Sequence, residues 1–341
     1  MVDAVLVGCG AMSKAWLEAA RRIDGLSVVA LVDLDLDRAR TRAAEYGLDG
    51  VAIAASLDAI LDGRGADVVF DVVVPAARLS VARAAFAHGC HLLSEKPLAA
   101  KLDEARAIVA SACEADRVHA VVQNRRYHPG VRRIRRFIRS GALGRPTSVH
   151  SDFFLGPHFG GFREEMEHVL LVDMAIHTFD AARAMTGLEG ERAYCREWDP
   201  VNSWYRQGSS TAAIFDMGGG AVFTYRGSWC ADGAPTSWEA SWRIVGERGS
   251  LTWDGFDAIR AEAVDGDARD GRFARTKPIE VPPLDPADRV GGHLGVMQDF
   301  LAAVEGGPPP ETAGADNLKS LAMVFGAVAS AEAGRPVDIV A

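Results

Sequence analysis

Residues 4–23, AVLVGCGAMSKAWLEAARRI, constrain this chain more than any other stretch. A short apolar run ends in glycines and passes at once into a helical pattern, with Ala11, Ala15, Ala19 and Ile23 on one side. Gly8-Cys9-Gly10-Ala11-Met12-Ser13 satisfies G-x-G-x-x-G except at the last place, where serine is still small enough for helix–strand packing. The two glycines allow a tight turn and close approach of a pyrophosphate. The helix N-terminus behind Ala11 and Met12 supplies backbone donors and a positive dipole end. Asp33 closes the next apolar run, LSVVALVD, twenty residues past Ser13. A carboxylate there can bind ribose hydroxyls. It also repels a 2′-phosphate, which favours NAD over NADP, although Arg38, Arg40 and Arg42 just downstream can offset part of that. By itself Asp33 also reads as a helix cap or turn residue.

The pattern continues in the same style. Apolar runs at 26–33, 66–75, 91–95 and 117–124 alternate with helical segments at 37–47, 77–89 and 103–116. Short Val/Leu/Ala-rich strands between such helices indicate parallel βαβ units with both sheet faces covered. Residues 1–122 therefore read as a doubly wound, Rossmann-type dinucleotide-binding domain. Residues 123–341 read as a second α/β domain for substrate binding and oligomerisation. It opens with the basic helix 131–141 and contains a helix near 169–186. Its strand signals include hairpins around GGG (218–220) and around ERG (247–249). The sheet is expected to be large, open and mostly antiparallel. Six of the seven tryptophans (Trp198, Trp204, Trp229, Trp238, Trp242 and Trp253) lie in or beside it. Such a face needs a cover, so a homo-oligomer, dimer or tetramer, is expected through this sheet. A last helix, 318–334, is a candidate to pack back on the first domain.

The totals exclude several classes. At 341 residues the chain has room for two domains of about 150 residues. A net charge of -9 argues against binding nucleic acid or an anionic membrane surface. No apolar run is long enough to span a bilayer, and the N-terminus lacks a signal-peptide pattern. Five cysteines without C-x-x-C spacing suit free thiols in a reducing cytoplasm. Cys9 in the glycine loop is either a reactive thiol or simply a small loop residue.

Two places carry chemistry. Lys96, in LLSEKPLA, leaves the end of a parallel strand, the edge where ligands of doubly wound sheets bind. Its ammonium can hold a substrate oxygen or stabilise a forming alkoxide. The spacing fits a solvated lysine in a surface turn equally well. Pro97 stiffens the exit, through a trans or a cis bond. In VDMAIHTFDAARAM, a helix brings Asp173, His177 and Asp180 within about 60° on one face. An imidazole oriented by a carboxylate is a general base for neutral pH; an ion pair on a helix surface is the simpler reading of the spacing alone. Asp173 and His177 with His158 or His168 match no strong metal signature, so no metal is assigned.

Gly8-x-Gly10, Glu95-Lys96-Pro97 and Asp173-x-x-x-His177, in this order and spacing, resemble the Gfo/Idh/MocA family. The resemblance extends through NRRYHP (124–129), GALGRP (141–146), IVGERGSLTWDG (244–255) and SAEAGRPV (330–337), nearly the whole chain. It implies an NAD(P)-dependent dehydrogenase or reductase of sugars, cyclitols or related polyols. Lys96 then stands near substrate and the nicotinamide ribose, with Glu95 beside that ribose. Asp173 and His177 become the catalytic pair, His177 taking the hydroxyl proton and Asp173 holding its tautomer. Asn124 and Arg125 approach substrate, and Phe162-Arg163 meets nicotinamide or substrate. Segment 152–168, with His158, Arg163 and His168, lines the pocket. One departure is plain. Where the family has T-P-N-x-x-H, this chain has Val74-Pro75-Ala76-Ala77-Arg78-Leu79. The turn through Val74 and Pro75 can still meet the cofactor, whereas polar contacts from Asn or His are lost. Two other activities suit the same fold: a ligand-sensing regulator that binds dinucleotide without turnover, and a glycosidase using NAD in an oxidation–elimination cycle.

Overall fold

The computed structural model describes residues 1–341, residue 268 excepted. The chain divides into two compact units, 1–127 with 289–318, and 128–288 with 319–341. The first unit thus takes in a late segment that the sequence pattern assigned to the second domain.

In the first unit six strands form one parallel sheet: β1 (Val2–Val7), β2 (Leu26–Val32), β3 (Ala52–Ala54), β4 (Val68–Asp71), β5 (His91–Ser94) and β6 (His119–Val121). Their order is β3-β2-β1-β4-β5-β6, the doubly wound arrangement whose strand order reverses beside β1. Helices α1 (Ser13–Ala20), α2 (Leu36–Tyr46), α3 (Leu57–Arg64), α4 (Arg78–Ala87) and α5 (Leu102–Glu114) connect them. Ala4, Leu6, Val68, Phe70 and Leu93 are fully buried, as strands covered on both faces require. β3 and α3 had no distinct signal in sequence, because AIA is too short to show a period. β4 is shorter than the apolar run that announced it. Asp71 accepts the N–H of Val73 at 3.2 Å, and that turn ends the strand.

The late segment supplies α8 (His293–Val304). Its Val296, Met297 and Phe300 complete the core around Trp16, Phe70 and Tyr127. Tyr127 donates its hydroxyl to Asp299 at 2.7 Å. The Tyr127 ring lies against Gly295, where a Cβ would stand 2.7 Å from it.

The second unit starts with α6 (Pro129–Arg139). Its nine-stranded sheet contains β7 (Pro146–Phe154), β8 (Gly190–Trp198), β9 (Ser210–Met217), β10 (Ala221–Ser228), β11 (Ser241–Gly246), β12 (Gly249–Trp253), β13 (Ile259–Asp270), β14 (Phe273–Ile279) and β15 (Val337–Asp338). Pairing is antiparallel except between β7 and β10. The hairpin at 218–220 joins β9 to β10, and the turn at 247–248 joins β11 to β12. One face buries Phe153, Phe215, Phe223, Tyr225 and Trp242. Phe179 of α7 (Ile176–Thr186) packs among them, 4.8 Å from Phe215 between ring centres. The opposite face alternates outward through Tyr194, Ile214, Thr224, His150 and Arg243. The last helix, α9 (Gly314–Ala333), follows α8. Only residues 314–318 of it fall in the first unit.

Candidate functional site

Strand register builds the first half of the site. Val32, Val7, Asp71, Ser94 and Val121 lie side by side across β2, β1, β4, β5 and β6. The residues just past this row, Asp33, Gly8, Val72 and Glu95, therefore leave the sheet together at its carboxyl edge, with Lys96 next. Gly8 has φ of +97°, and a Cβ there would stand 2.7 Å from the Val72 carbonyl oxygen. Gly10 has nothing within 4 Å of where a Cβ would be. The first glycine is required by the turn, while the second leaves room for a ligand. Ser13 starts α1 and donates to the Gly10 carbonyl at 2.6 Å, so the serine variant closes its own loop. Cys9 is buried, and burial pushes its thiol up to about 11, which removes it as a nucleophile.

A cavity of about 780 Å³ opens at this edge, with Gly8, Gly10, Asp33, Arg38, Val73 and Val74 among its lining residues. Asp33 is pinned at the wall by the N–H groups of Cys9 (2.8 Å) and Asp35 (2.9 Å). The nearby arginines are already engaged. Arg38 pairs with Asp33 (3.6 Å) and Asp35 (3.4 Å), Arg40 with Asp37 (2.6 Å) and Arg42 with Glu45 (2.6 Å). Arg42 also donates to the Gly10 carbonyl at 3.1 Å. This edge fits a dinucleotide, and a carboxylate with committed arginines fits one lacking a 2′-phosphate. Of the residues expected to hold it, Ala11 and Met12 are exposed in the glycine loop and Pro75 begins a short turn after Val74. The cavity wall from Ala55 to Asp58 escaped sequence reading, because it follows the unrecognised β3.

The Glu95 carboxylate is buried and turned into the first unit. It accepts from Trp16 of α1 (3.0 Å), His293 of α8 (3.2 Å) and the Lys96 N–H (2.8 Å). Desolvation opposes its charge. The His293 hydrogen bond leads the opposing influences, and together they hold the acid below the ordinary carboxylate range. The Lys96–Pro97 peptide is cis. His293 carried no sequence signal, since its role depends on a partner 198 residues away. Asn124 and Arg125 follow β6 in a short turn at Asn124–Tyr127.

In the second unit, Leu170–Ala175 winds as a π-helix before α7 begins. Asp173 lies inside this wider turn, three residues before His177's helix begins. Wide turns of this kind are frequent at functional sites. Asp173 accepts from Arg163 at 2.9 Å, and the Arg163 guanidinium lies over Phe159 and Phe162, 5.1 and 4.9 Å from the ring centres. His177 is buried near the start of α7. Asp180 is wholly buried and accepts from Ser320 at 2.6 Å, beside Arg183 at 3.6 Å. It is part of the core and not of a catalytic face. His158 stacks on Trp204 at 3.7 Å. His168, at φ of +51°, is clamped by Glu197 at 2.5 Å and Glu332 at 3.5 Å. Its imidazole is committed to those carboxylates, which takes it out of the expected pocket lining. Among the described residues no group of three His, Cys, Asp or Glu side chains is placed to hold a metal ion.

Glycine turn, pinned acid and open cavity define a dinucleotide-binding enzyme unit joined to a sheet-based second unit. Comparison with known proteins agrees. The oxidoreductase family with an NAD-binding Rossmann fold matches residues 2–123, and the GFO/IDH/MocA C-terminal domain matches 131–252. The chain belongs to the Gfo/Idh/MocA family of NAD-binding oxidoreductases. It is 28% identical to a D-apiose dehydrogenase of Paraburkholderia graminis, over 98% of this chain and 88% of that one. It is 26% identical to a 1,5-anhydro-D-fructose reductase of Ensifer adhaerens, over 98% and 97%. Levoglucosan dehydrogenase in complex with NADH and levoglucosan has the same fold, with a TM-score of 0.82 at 21% identity over 100% of both chains.

Proposed function

We propose that this oxidoreductase interconverts a secondary alcohol and a ketone on a sugar, cyclitol or related polyol. Bound NAD supplies the hydride acceptor. Lys96 stabilises the developing alkoxide by its charge, and His177 accepts the hydroxyl proton. Asp173 orients substrate and imidazole, with Arg163 holding Asp173. Asn124, Arg125 and His158 contribute to substrate binding. The observation that carries this reading is that Lys96 follows, by two residues, the register row that Gly8 and Asp33 follow by one. The names of the relatives, which act on apiose, anhydrofructose and levoglucosan, support a cyclic polyol as substrate.

The open face bearing exposed Tyr194, Trp198 and Ile214 supports a homo-oligomer through the second sheet. Light scattering should give a multiple of 36.4 kDa, and a monomer at micromolar concentration would refute it. Five unpaired cysteines support a reducing, cytoplasmic compartment. No helix among the described residues is long and apolar enough to cross a membrane.

The test is a panel of sugars and cyclitols with NAD and with NADP, read by absorbance of the reduced cofactor. NAD reduction by at least one cyclic polyol is expected. NAD binding without turnover of any member would overturn the reading.

A further inference from the structure

The stretch that departs from the family pattern, Val74 to Leu79, contains a buried cation. Arg78 opens α4 and is only 1% exposed. A buried guanidinium must be neutralised and must satisfy its donors. Its Nε donates to Asp71 at 3.0 Å, its Nη2 to the Val73 carbonyl at 2.7 Å and its Nη1 to the Pro97 carbonyl. Asp71, fully buried at the end of β4, provides the countercharge. The other two acceptors are backbone carbonyls of separate turns. One turn carries Val73 and Val74 on the cavity wall. The other carries Lys96.

The backbone around Lys96 is therefore gripped from both sides. The carboxylate of Glu95 takes the Lys96 N–H at 2.8 Å, and the guanidinium of Arg78 takes the carbonyl of Pro97. Each grip is anchored deeper, Glu95 on α1 and α8, Arg78 on β4. Arginine's donors sit on three nitrogens of a rigid fork and so reach acceptors far apart, whereas lysine's three donors radiate from a single nitrogen. A lysine can neutralise Asp71 but leaves at least one carbonyl unheld.

We infer that Arg78 is a positioning residue, coupling the cavity-wall turn at Val73 to the Lys96 turn and so setting where the Lys96 ammonium stands. This rests on the proposed role of Lys96. Asn or His side chains are missing from the turn, and Arg78 stabilises it from beneath instead.

The experiment compares wild type with Arg78→Lys, Lys96→Ala and the double variant in the full chain. Two properties are read: amide exchange across residues 95–99, and kcat with NAD and the best polyol of the panel. Arg78→Lys keeps the charge balance with Asp71, so it should fold where Arg78→Met is liable not to. The expected result is about tenfold faster exchange at Lys96 and a kcat about tenfold lower. KM should move less than kcat. In the Lys96→Ala background the same change should cost kcat almost nothing further, since both act through one group. Unchanged exchange in Arg78→Lys overturns the proposal, as do kcat losses that multiply in the double variant. Wild-type kcat in Lys96→Ala alone overturns the role of Lys96, and with it the catalytic consequence assigned to Arg78.

Discussion

The two stretches bearing the proposed catalytic groups are built in opposite ways. Around Lys96 the supporting charges are buried and balanced. Glu95 is engaged by Trp16, His293 and the Lys96 amide, and Arg78 by Asp71 and two carbonyls. Around Asp173 the support is a π-helical segment and an arginine whose side chain is 30% exposed, on a segment of exposed aromatics. Buried networks of satisfied groups enforce one geometry, while a single pair whose arginine reaches solvent yields more easily. The contrast suits the proposed roles, a lysine held still and a carboxylate able to exchange Arg163 for a substrate hydroxyl.

The largest effects should come from the groups doing chemistry. His177→Ala and Lys96→Ala should each lower kcat by about 10² to 10⁴. Near wild-type turnover in both would break the comparison at its root. Next comes the cofactor edge. Gly8→Ala, with φ of +97° and the Val72 carbonyl in the way, should weaken NAD binding by about tenfold or more. Titration by intrinsic fluorescence would read this, and an unaltered Kd would show that the turn tolerates a Cβ.

Arg163→Ala should be much milder. The pair is partly buried, and a single pair of this kind contributes about 1 kcal/mol, so a kcat change within about fivefold is expected. A loss as deep as that of Lys96→Ala would mean that Asp173 is as rigidly mounted as the lysine. The smallest effect concerns His168. The Glu197 hydrogen bond leads in holding its imidazolium above the ordinary histidine range, against desolvation, with the charges of Glu197, Glu332 and Glu167 assisting. A raised folded pKa contributes stability that is fully present below the ordinary histidine value. That stability disappears as pH rises through the raised value. Wild type should lose a degree or two of Tm more than His168→Gln between about pH 6 and about pH 9. Parallel curves would remove the clamp from the account.

Much of the first unit could be read from its residues. Glycines, Asp33 and the strand–helix alternation are local signals whose meaning depends on neighbours a few positions away. That is why the order of β1, β2, β4, β5 and β6 was legible while β3, three residues long, was not. Lys96 was legible as a position on a stiffened exit, but its supports were not, because they come from residues 16, 78 and 293. Asp180 is only partly legible for a related reason. Helical spacing put it beside His177, and only the fold reveals Ser320 and Arg183 as its partners. The π-helical segment at 170–175 has no periodic signature distinct from an α-helix, so the wide turn that carries Asp173 was invisible in sequence.

The return of α8 to the first unit has a consequence for how this protein is made. Trp16, Phe70 and Tyr127 are translated early, yet Val296, Met297 and Phe300, which close the core around them, emerge only after residues 128–288. On the ribosome the nucleotide-binding unit thus waits, with an apolar flank uncovered, while eight of the nine strands of its neighbour's sheet are synthesised. A fragment ending at Tyr127 would carry the glycine loop, Asp33 and Lys96 and still lack the helix that seals it.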